Sequence, residues 1–340
     1  MDLDPSDEQQ QLIDTFSAFY AKESAPDRVR AAEPSGHDAA LWAQLRDMGV
    51  VDMAVDETSG GWGASLLDLA LVAEQHGRHL GSAPLIENQV AARLLARIAS
   101  GPSAEFLGHV LGGDRLVTLA LHSPHGDRLT MVPAGAVADG VIFWRDGQVH
   151  YAPVAHRRPI ANTGSLPLAD LDPGAGVVLA AGTEAHDHWE VALDEWMVLM
   201  ANALVGIGER SIEIGVAYVK ERHAFGVPIG SFQAVSHGLA NAATGVDGAK
   251  LIAREAAWAA AENPGRASEL ASLSCGFSAE AAREASYRSL HYHGGYGFML
   301  EFDIQLFFRR AIAWPAVYGE PSLMFARGEA SRLALASGNV

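Results

Sequence analysis

Residues 221–233 read Glu221-Arg222-His223-Ala224-Phe225-Gly226-Val227-Pro228-Ile229-Gly230-Ser231-Phe232-Gln233. Helical periodicity covers residues 195–222 before this stretch and residues 232–261 after it. Two glycines and a proline interrupt the pattern between them, so the stretch predicts a tight corner that joins two long helices. Short connections between long helices are typical of an up-and-down helical bundle.

The helical period continues beyond this corner. Apolar spacing predicts a third long helix over residues 267–291, which ends at Gly294-Gly295-Tyr296-Gly297. Shorter helical stretches follow at residues 303–313 and 322–335. We therefore expect the C-terminal domain, residues 191–340, to be an up-and-down helical bundle.

The N-terminal residues 1–113 carry helical patterns throughout. Ser6 and Gln9 have the spacing of a capping box, which predicts a helix that runs to about Ala21. Gly49 is placed to end a second helix. These patterns predict an all-helical N-terminal domain. The predicted helices after the first cover residues 39–48, 66–79, 85–98 and 104–111.

The pattern changes at Arg115, where runs of strand-forming residues begin. Asp146-Gly147 is a typical hairpin turn between two of these runs. We expect residues 114–190 to form a small middle β domain. Alternating strand and helix units are absent, which disfavours a Rossmann or barrel architecture and predicts an α+β, mainly α fold. The predicted strands lie in residues 116–121, 141–144, 149–151 and 177–181.

Composition excludes several classes of protein. The chain has 24 basic and 41 acidic residues, a formal net charge of −17 and no basic run, so nucleic acid is not expected as a partner. Cys275 is the only cysteine, which rules out an intrachain disulfide and a cysteine-rich metal site. The sequence has no run of 18 apolar residues and no signal-peptide pattern, so we expect a cytoplasmic protein without a membrane span.

The corner at residues 222–233, the arginine corner, is a candidate anion site. Arg222 supplies a forked cationic donor, and a new helix begins close by with Ser231 as its predicted N-cap. Free N–H groups at a helix start and a guanidinium both favour a phosphate. The same pattern also fits a helix hairpin with a solvated arginine.

Residues 291–297, the glycine turn, form a second candidate. Glycine removes the side-chain barrier between the backbone N–H groups and a ligand, although such a turn is also a common helix stop. A metal is not expected, because His291 and His293 have no third ligand nearby. Cys275 is expected to pack inside a helix.

Together these features resemble the acyl-CoA dehydrogenase family across nearly the whole chain. The resemblance implies that the C-terminal domain is a four-helix bundle. It also implies α,β-dehydrogenation of an acyl-CoA thioester, with FAD at a subunit interface and an electron-transfer flavoprotein or similar acceptor. A carboxylate of the family takes the α proton while a β hydride passes to flavin N5. The matching segments are Leu41 to Gly49, Gly60-Gly61-Trp62-Gly63, the arginine corner, the glycine turn and Arg309-Arg310-Ala311.

The resemblance also assigns FAD contacts to particular residues. One subunit is expected to supply the arginine corner, and the glycine turn of its neighbour is expected to close over the cofactor. Position 291 is usually glutamine in the family, and histidine there keeps a donor but changes its reach. The implied contacts are Arg222, Phe225, Gln233, His291, His293, Gly294 and Gly295.

The family's catalytic glutamate has no direct match. Tyr318 and Trp196 stand at the two usual positions, with Glu320 two places late and Glu195 one place early. A slip of one residue turns a helical side chain by about 100°, so Glu195 should not point where the family's base points. Glu320 is therefore the candidate base within this chain. The middle domain also lacks the family's flavin-ring segments, Thr-Glu-Pro and Trp-Ile-Thr.

These departures resemble the short subunits of two-gene actinobacterial acyl-CoA dehydrogenases, which act as α2β2 heterotetramers on steroid side-chain thioesters. The leading interpretation is a subunit whose partner chain supplies the catalytic base and without which this chain is inactive. One alternative is a self-sufficient homotetramer that uses Glu320. Others are a non-catalytic scaffold subunit and a flavin monooxygenase of the same fold.

Overall fold

The computed structural model describes residues 3–99, 101–174 and 176–337. Over these residues the chain forms helices, then strands, then longer helices, with eleven α-helices and eight β-strands in all. This order confirms the predicted α+β, mainly α fold.

Six helices form the N-terminal third. The capping box predicted at Ser6 and Gln9 is present and begins α1. The short helix α2 was not predicted, because seven residues that start with Pro26 are too few to show a helical period. The helices are α1 (Asp7–Glu23), α2 (Pro26–Ala32), α3 (Ala39–Asp47), α4 (Leu66–Arg78), α5 (Leu85–Ile98) and α6 (Pro102–Leu111).

Six strands form one sheet, in the order β1-β3-β4-β5-β2 with β6 also paired to β4. The predicted hairpin turn at Asp146-Gly147 joins β3 to β4, and both residues have a positive φ. Strands β2 and β5 were not predicted. Asp170 and Asp172 disfavour a strand in β5, but Arg158 on β4 pairs with Asp172 at 2.5 Å. The strands are β1 (Val117–Leu119), β2 (Leu129–Val132), β3 (Gly140–Arg145), β4 (Gln148–Pro159), β5 (Ala169–Pro173) and β6 (Val177–Ala181).

The C-terminal part consists of long helices and one small hairpin. Helix α7 begins at Gly182, well before the predicted start at Glu195. Its first turns bury only a narrow stripe, Ala185 and Trp189, among exposed polar residues, which hides the helical period. The elements are α7 (Gly182–Glu221), β7 (His223–Ala224), β8 (Val227–Pro228), α8 (Gln233–Glu262), α9 (Pro264–Tyr292), α10 (Ile304–Ala316) and α11 (Pro321–Ser337).

Contacts divide the chain into two compact units. The helical unit comprises residues 1–29, 70–81 and 197–340, and the sheet unit comprises residues 30–69 and 82–196. In the helical unit, α9 contacts α8, α10 and α11. In the sheet unit, the strands bury one apolar cluster, which consists of Ala120, Leu129, Val132, Val141, Phe143, Ala152, Ala169 and Leu171.

Among the described helices, α7 is long and apolar enough to cross a membrane by length and composition alone. In the structure, 94% of its most apolar window is buried inside the protein. A core helix of a globular protein has this property.

A buried ring cluster lies within the helical unit. The Tyr20 hydroxyl lies 3.0 Å from Nδ1 of His76, and the Trp314 ring lies 5.7 Å from the His76 ring. Burial lowers the pKa of His76 to about 3. The folded protein therefore holds this imidazole neutral at pH values where an exposed histidine is charged.

We expect acid to destabilise the protein through His76. In the unfolded chain this side chain binds a proton near its ordinary pKa of 6.5, whereas in the folded chain it stays neutral down to about pH 3. As the pH falls below that ordinary value, the free energy of unfolding of the wild type should fall more steeply than that of His76→Gln, by about 1.4 kcal/mol per pH unit. Chemical denaturation of both proteins between neutral pH and about pH 5 measures the two slopes. Equal slopes would contradict this reading.

Candidate functional site

The arginine corner is an ordered hairpin between α7 and α8. Strands β7 and β8 pair across Phe225 and Gly226, which have φ values of 56° and 83°. Two positive φ values in a two-residue loop define a type I′ turn. The backbone N–H of Ile229 donates to the carbonyl oxygen of Arg222 at 2.8 Å, so the corner closes on its own backbone.

Three side chains of the arginine corner are exposed at the protein surface. The Phe225 side chain is 97% exposed. The positive φ of this residue costs conformational energy, because the left-handed backbone region is unfavourable for phenylalanine. Arg222 and Gln233 are also exposed, and no described residue forms an ion pair or side-chain hydrogen bond with either of them. The fold thus presents a cation and an amide without described side-chain partners, together with an exposed aromatic ring that makes an edge-on contact with Phe232 at a centroid distance of 6.2 Å.

Ser231 does not cap α8, so this prediction was wrong. Its hydroxyl donates to the carbonyl oxygen of Pro228 at 2.7 Å, because a short 3-10 turn at residues 229–231 points it backward. Phe232 is the N-cap residue and makes no side-chain cap hydrogen bond. The first N–H groups of α8 therefore lack a side-chain acceptor from the cap position.

The fold requires glycine at two of the three glycine positions of the glycine turn. Gly294 has a φ of 61°, which favours glycine. A Cβ at Gly297 would overlap the carbonyl oxygen of Leu290. Gly295 has no positive φ, and no described atom beyond its chain neighbours lies within 4 Å of a Cβ built there. The fold of this chain does not require glycine at position 295.

The two histidines of the glycine turn have different surroundings. His293 is only 5% exposed, its Nδ1 lies 2.7 Å from the carbonyl oxygen of Ser289, and its ring stacks on Tyr218 at 3.9 Å. Burial lowers the pKa of His293. His291 is exposed. A ligand at the surface of this chain can thus contact the side chain of His291. At position 293 it can contact only the backbone.

The structure brings the arginine corner and the glycine turn together at one end of the helical unit. The Tyr292 hydroxyl donates to the carbonyl oxygen of Ala234 at 3.1 Å, next to Gln233 in the chain. The Tyr218 ring that stacks on His293 lies one helical turn before Arg222, whose N–H donates to the Tyr218 carbonyl oxygen at 2.9 Å. Seven sequence-predicted contact residues therefore lie in two neighbouring segments of one chain.

Glu195 is a buried counter-ion in the sheet unit. One carboxylate oxygen lies 2.8 Å from Arg93 Nη2 and 2.5 Å from Arg97 Nη2, and the residue is 4% exposed. Burial alone would raise the pKa of Glu195, but the two arginines outweigh burial and hold that pKa below its usual range. A carboxylate stabilised in this way is a poor proton acceptor, so Glu195 is not the base.

Glu320 lies in the exposed connection between α10 and α11. Its carbonyl oxygen accepts a hydrogen bond from the N–H of Leu323 at 2.9 Å, at the start of α11. In the described part of the chain, no hydrogen bond or ion pair links its side chain to the arginine corner or the glycine turn.

One ionisable side chain was missed by the sequence analysis. Glu87 lies half-buried in the first turn of α5, and burial raises its pKa to about 7. The available signal was an acidic residue inside the apolar run that begins Leu85-Ile86. A carboxyl group with this pKa exchanges protons near neutral pH.

Two family models match this chain. Residues 6–103 match the acyl-CoA dehydrogenase N-terminal domain, and residues 191–320 match the acyl-CoA dehydrogenase C-terminal domain. Acyl-CoA dehydrogenase IpdE2 of Mycobacterium tuberculosis is 30% identical over 318 residues, which cover 91% of this chain and 92% of the relative. The chain belongs to the acyl-CoA dehydrogenase family. It is an oxidoreductase that acts on acyl-CoA.

Further relatives and solved structures agree with this membership. Acyl-CoA dehydrogenase FadE27 of Mycobacterium tuberculosis is 31% identical, over 81% of this chain and 83% of its own length. A variant of the Tcur3481-Tcur3483 steroid ACAD has a TM-score of 0.88 at 24% identity, covering 97% of this chain and 99% of that one. The ChsE4-ChsE5 complex from Mycobacterium tuberculosis has a TM-score of 0.87 at 24% identity, with 98% and 99% covered. These structures share the acyl-CoA dehydrogenase fold.

We expect Glu195→Gln to destabilise this acyl-CoA dehydrogenase chain strongly. The substitution leaves Arg93 and Arg97 without their buried counter-charge, and breaking a buried pair costs about 3–5 kcal/mol. Glu184→Gln is the matched control, because that side chain lies on the same helix and is 86% exposed. The control should change the free energy of unfolding by less than about 0.5 kcal/mol. Similar unfolding curves for both variants would show that the ion pair is unimportant.

Proposed function

We propose that this chain is a subunit of an FAD-dependent acyl-CoA dehydrogenase, in which a partner chain supplies the catalytic base. The observation that carries the proposal is the open backbone at Gly295 in a chain whose Arg222 and Gln233 side chains form no ion pair or side-chain hydrogen bond with the described residues. A glycine that the fold does not need is explained by a ligand that approaches the backbone closely. A cofactor bound between two chains accounts for both features.

The residues present fit the FAD diphosphate. Arg222 and the N–H groups at the start of α8 offer positive charge and donors to an anion on a chain whose net charge is −17. The backbone at Gly294 and Gly295 would face the diphosphate and adenosine part from a neighbouring chain. Phe225 and Gln233 would contact the cofactor from the arginine corner. When bound, FAD supplies the acceptor for the β hydride.

The source of the base is inferred from the carboxylates of this chain. The Glu195 carboxylate is already ion-paired with two arginines. The fully buried Trp196 occupies one of the family's two base positions. Glu320 is exposed, whereas a carboxylate that removes an α proton works best in a water-excluded pocket. A partner carboxylate would complete the site without a change in this chain's fold.

The finer assignments rest on likeness to other proteins. The Tcur3481-Tcur3483 steroid ACAD and the ChsE4-ChsE5 complex support an assembly with a second acyl-CoA dehydrogenase-like chain. We propose a steroid side-chain CoA thioester as the substrate and a flavoprotein as the electron acceptor. We also propose that the enzyme acts in the cytoplasm.

Gly295→Ala tests the cofactor site without disturbing the fold. Because a Cβ at position 295 meets open space, the unfolding midpoint of the variant should equal that of the wild type. The FAD dissociation constant of the co-expressed complex should rise at least about tenfold, since the methyl group occupies the path of the diphosphate. Flavin fluorescence titration of the apo complex measures this constant.

Gly245→Ala is the control, because a Cβ there also meets open space but lies within α8, away from both segments. Equal FAD binding by both variants would contradict the proposed site.

Glu320→Gln tests the source of the base. In the complex, the turnover of acyl-CoA should change less than about twofold, because the partner supplies the proton acceptor. A fall of several orders of magnitude would instead identify Glu320 as the base and support a self-sufficient homotetramer. Full FAD occupancy and turnover by this chain purified alone would also contradict the proposal.

A further inference from the structure

The arginine corner and the glycine turn are tied together by one tyrosine hydroxyl. Tyr292 lies at the last position of α9, directly before the residues that approach the cofactor in the proposed function. Its hydroxyl donates to the carbonyl oxygen of Ala234 in the first turn of α8, at 3.1 Å.

The facing helix leaves space for this hydroxyl. A Cβ at Gly238 on α8 would overlap the Tyr292 hydroxyl oxygen, whereas the nearest ring carbon of Tyr292 would lie 3.1 Å away. Glycine inside a helix is destabilising relative to alanine by about 0.5–1 kcal/mol. The glycine at position 238 is therefore accounted for by the hydroxyl group of Tyr292 rather than by its ring.

A second contact lies beside the first. The Tyr218 ring stacks on His293, and its hydroxyl lies 3.4 Å from the His293 carbonyl oxygen. This stack holds the end of α9 against α7 and does not involve α8. The hydrogen bond of the Tyr292 hydroxyl, in contrast, joins the glycine turn to the residue that follows Gln233.

We propose that Tyr292 is a positioning residue for the cofactor site, and this proposal rests on the proposed function. Its hydroxyl fixes the start of α8, and with it the arginine corner, relative to the glycine turn. Both segments are helix ends, where the backbone opens most readily. In the proposed function each of the two segments contacts a cofactor that is shared with a neighbouring chain, so fixing both segments before binding lowers the ordering cost at each cofactor site.

A double-mutant cycle tests the link. The variants are Tyr292→Phe, Gly238→Ala and the two combined, with Tyr287→Phe as a control that removes an exposed hydroxyl from the same helix. The FAD dissociation constant is measured in the apo complex by flavin fluorescence. Amide hydrogen exchange of residues 222–235 and 293–298 is measured in the chain without cofactor, which reports the link independently of activity.

Tyr292→Phe should weaken FAD binding about fivefold, the factor that one ordinary hydrogen bond supplies, and should speed exchange in both segments. Gly238→Ala should do the same, because its methyl group displaces the hydroxyl. In the Tyr292→Phe background, Gly238→Ala should have no further effect on FAD binding and should raise the unfolding midpoint, as alanine within a helix does. The control should match the wild type in both measurements.

Two results would overturn the inference. One is unchanged exchange and FAD binding in Tyr292→Phe, and the other is a Gly238→Ala effect that is as large with phenylalanine at position 292 as with tyrosine. A wild-type complex that binds no FAD would refute the proposed function instead. The exchange data would then still show whether Tyr292 joins the two segments.

Discussion

The close packing of α7 against α8 and α9 is the constraint on which the rest of the structure depends. A Cβ at Gly208 of α7 would lie 2.8 Å from Val246 of α8, and one at Gly215 would overlap the Ser289 hydroxyl of α9. That hydroxyl donates to the carbonyl oxygen of Ser211 at 2.6 Å. Helices that approach so closely have a fixed axial register. Their ends, and therefore the arginine corner and the glycine turn, are presented at a defined place.

Some residues are required by the packing or the ion pairs of the fold, whereas others remain available to a ligand. Gly208 and Gly215 are needed by the packing, and Glu195 is needed by two arginines. Gly295 is not needed by packing within the described chain, and Phe225 is 97% exposed and makes an edge-on ring contact with Phe232. Gly295 and Phe225 support a functional assignment, because the fold itself does not account for them.

Long periodic segments made most of the fold predictable from the sequence. The bundle helices and the corner between α7 and α8 were predictable because their apolar spacing extends over many turns and glycine and proline interrupt it sharply. Strand β5 was missed because Asp170 and Asp172 disfavour a strand, whereas the arginine that pairs with Asp172 lies on another strand. The burial of His293 was missed for a related reason, since the ring that covers it, Tyr218, lies on another helix. The positions of the site residues along the chain were thus predictable, but the direction of each side chain was not.

The central claim is that FAD lies between the arginine corner of one chain and the glycine turn of another. An experimental structure of the purified complex with FAD bound tests this claim most directly. The account predicts that the cofactor diphosphate contacts Arg222 of one chain and the backbone at Gly294 and Gly295 of its neighbour. A structure in which these two segments are far apart at every interface, or in which side chains fill the space between them, would contradict it.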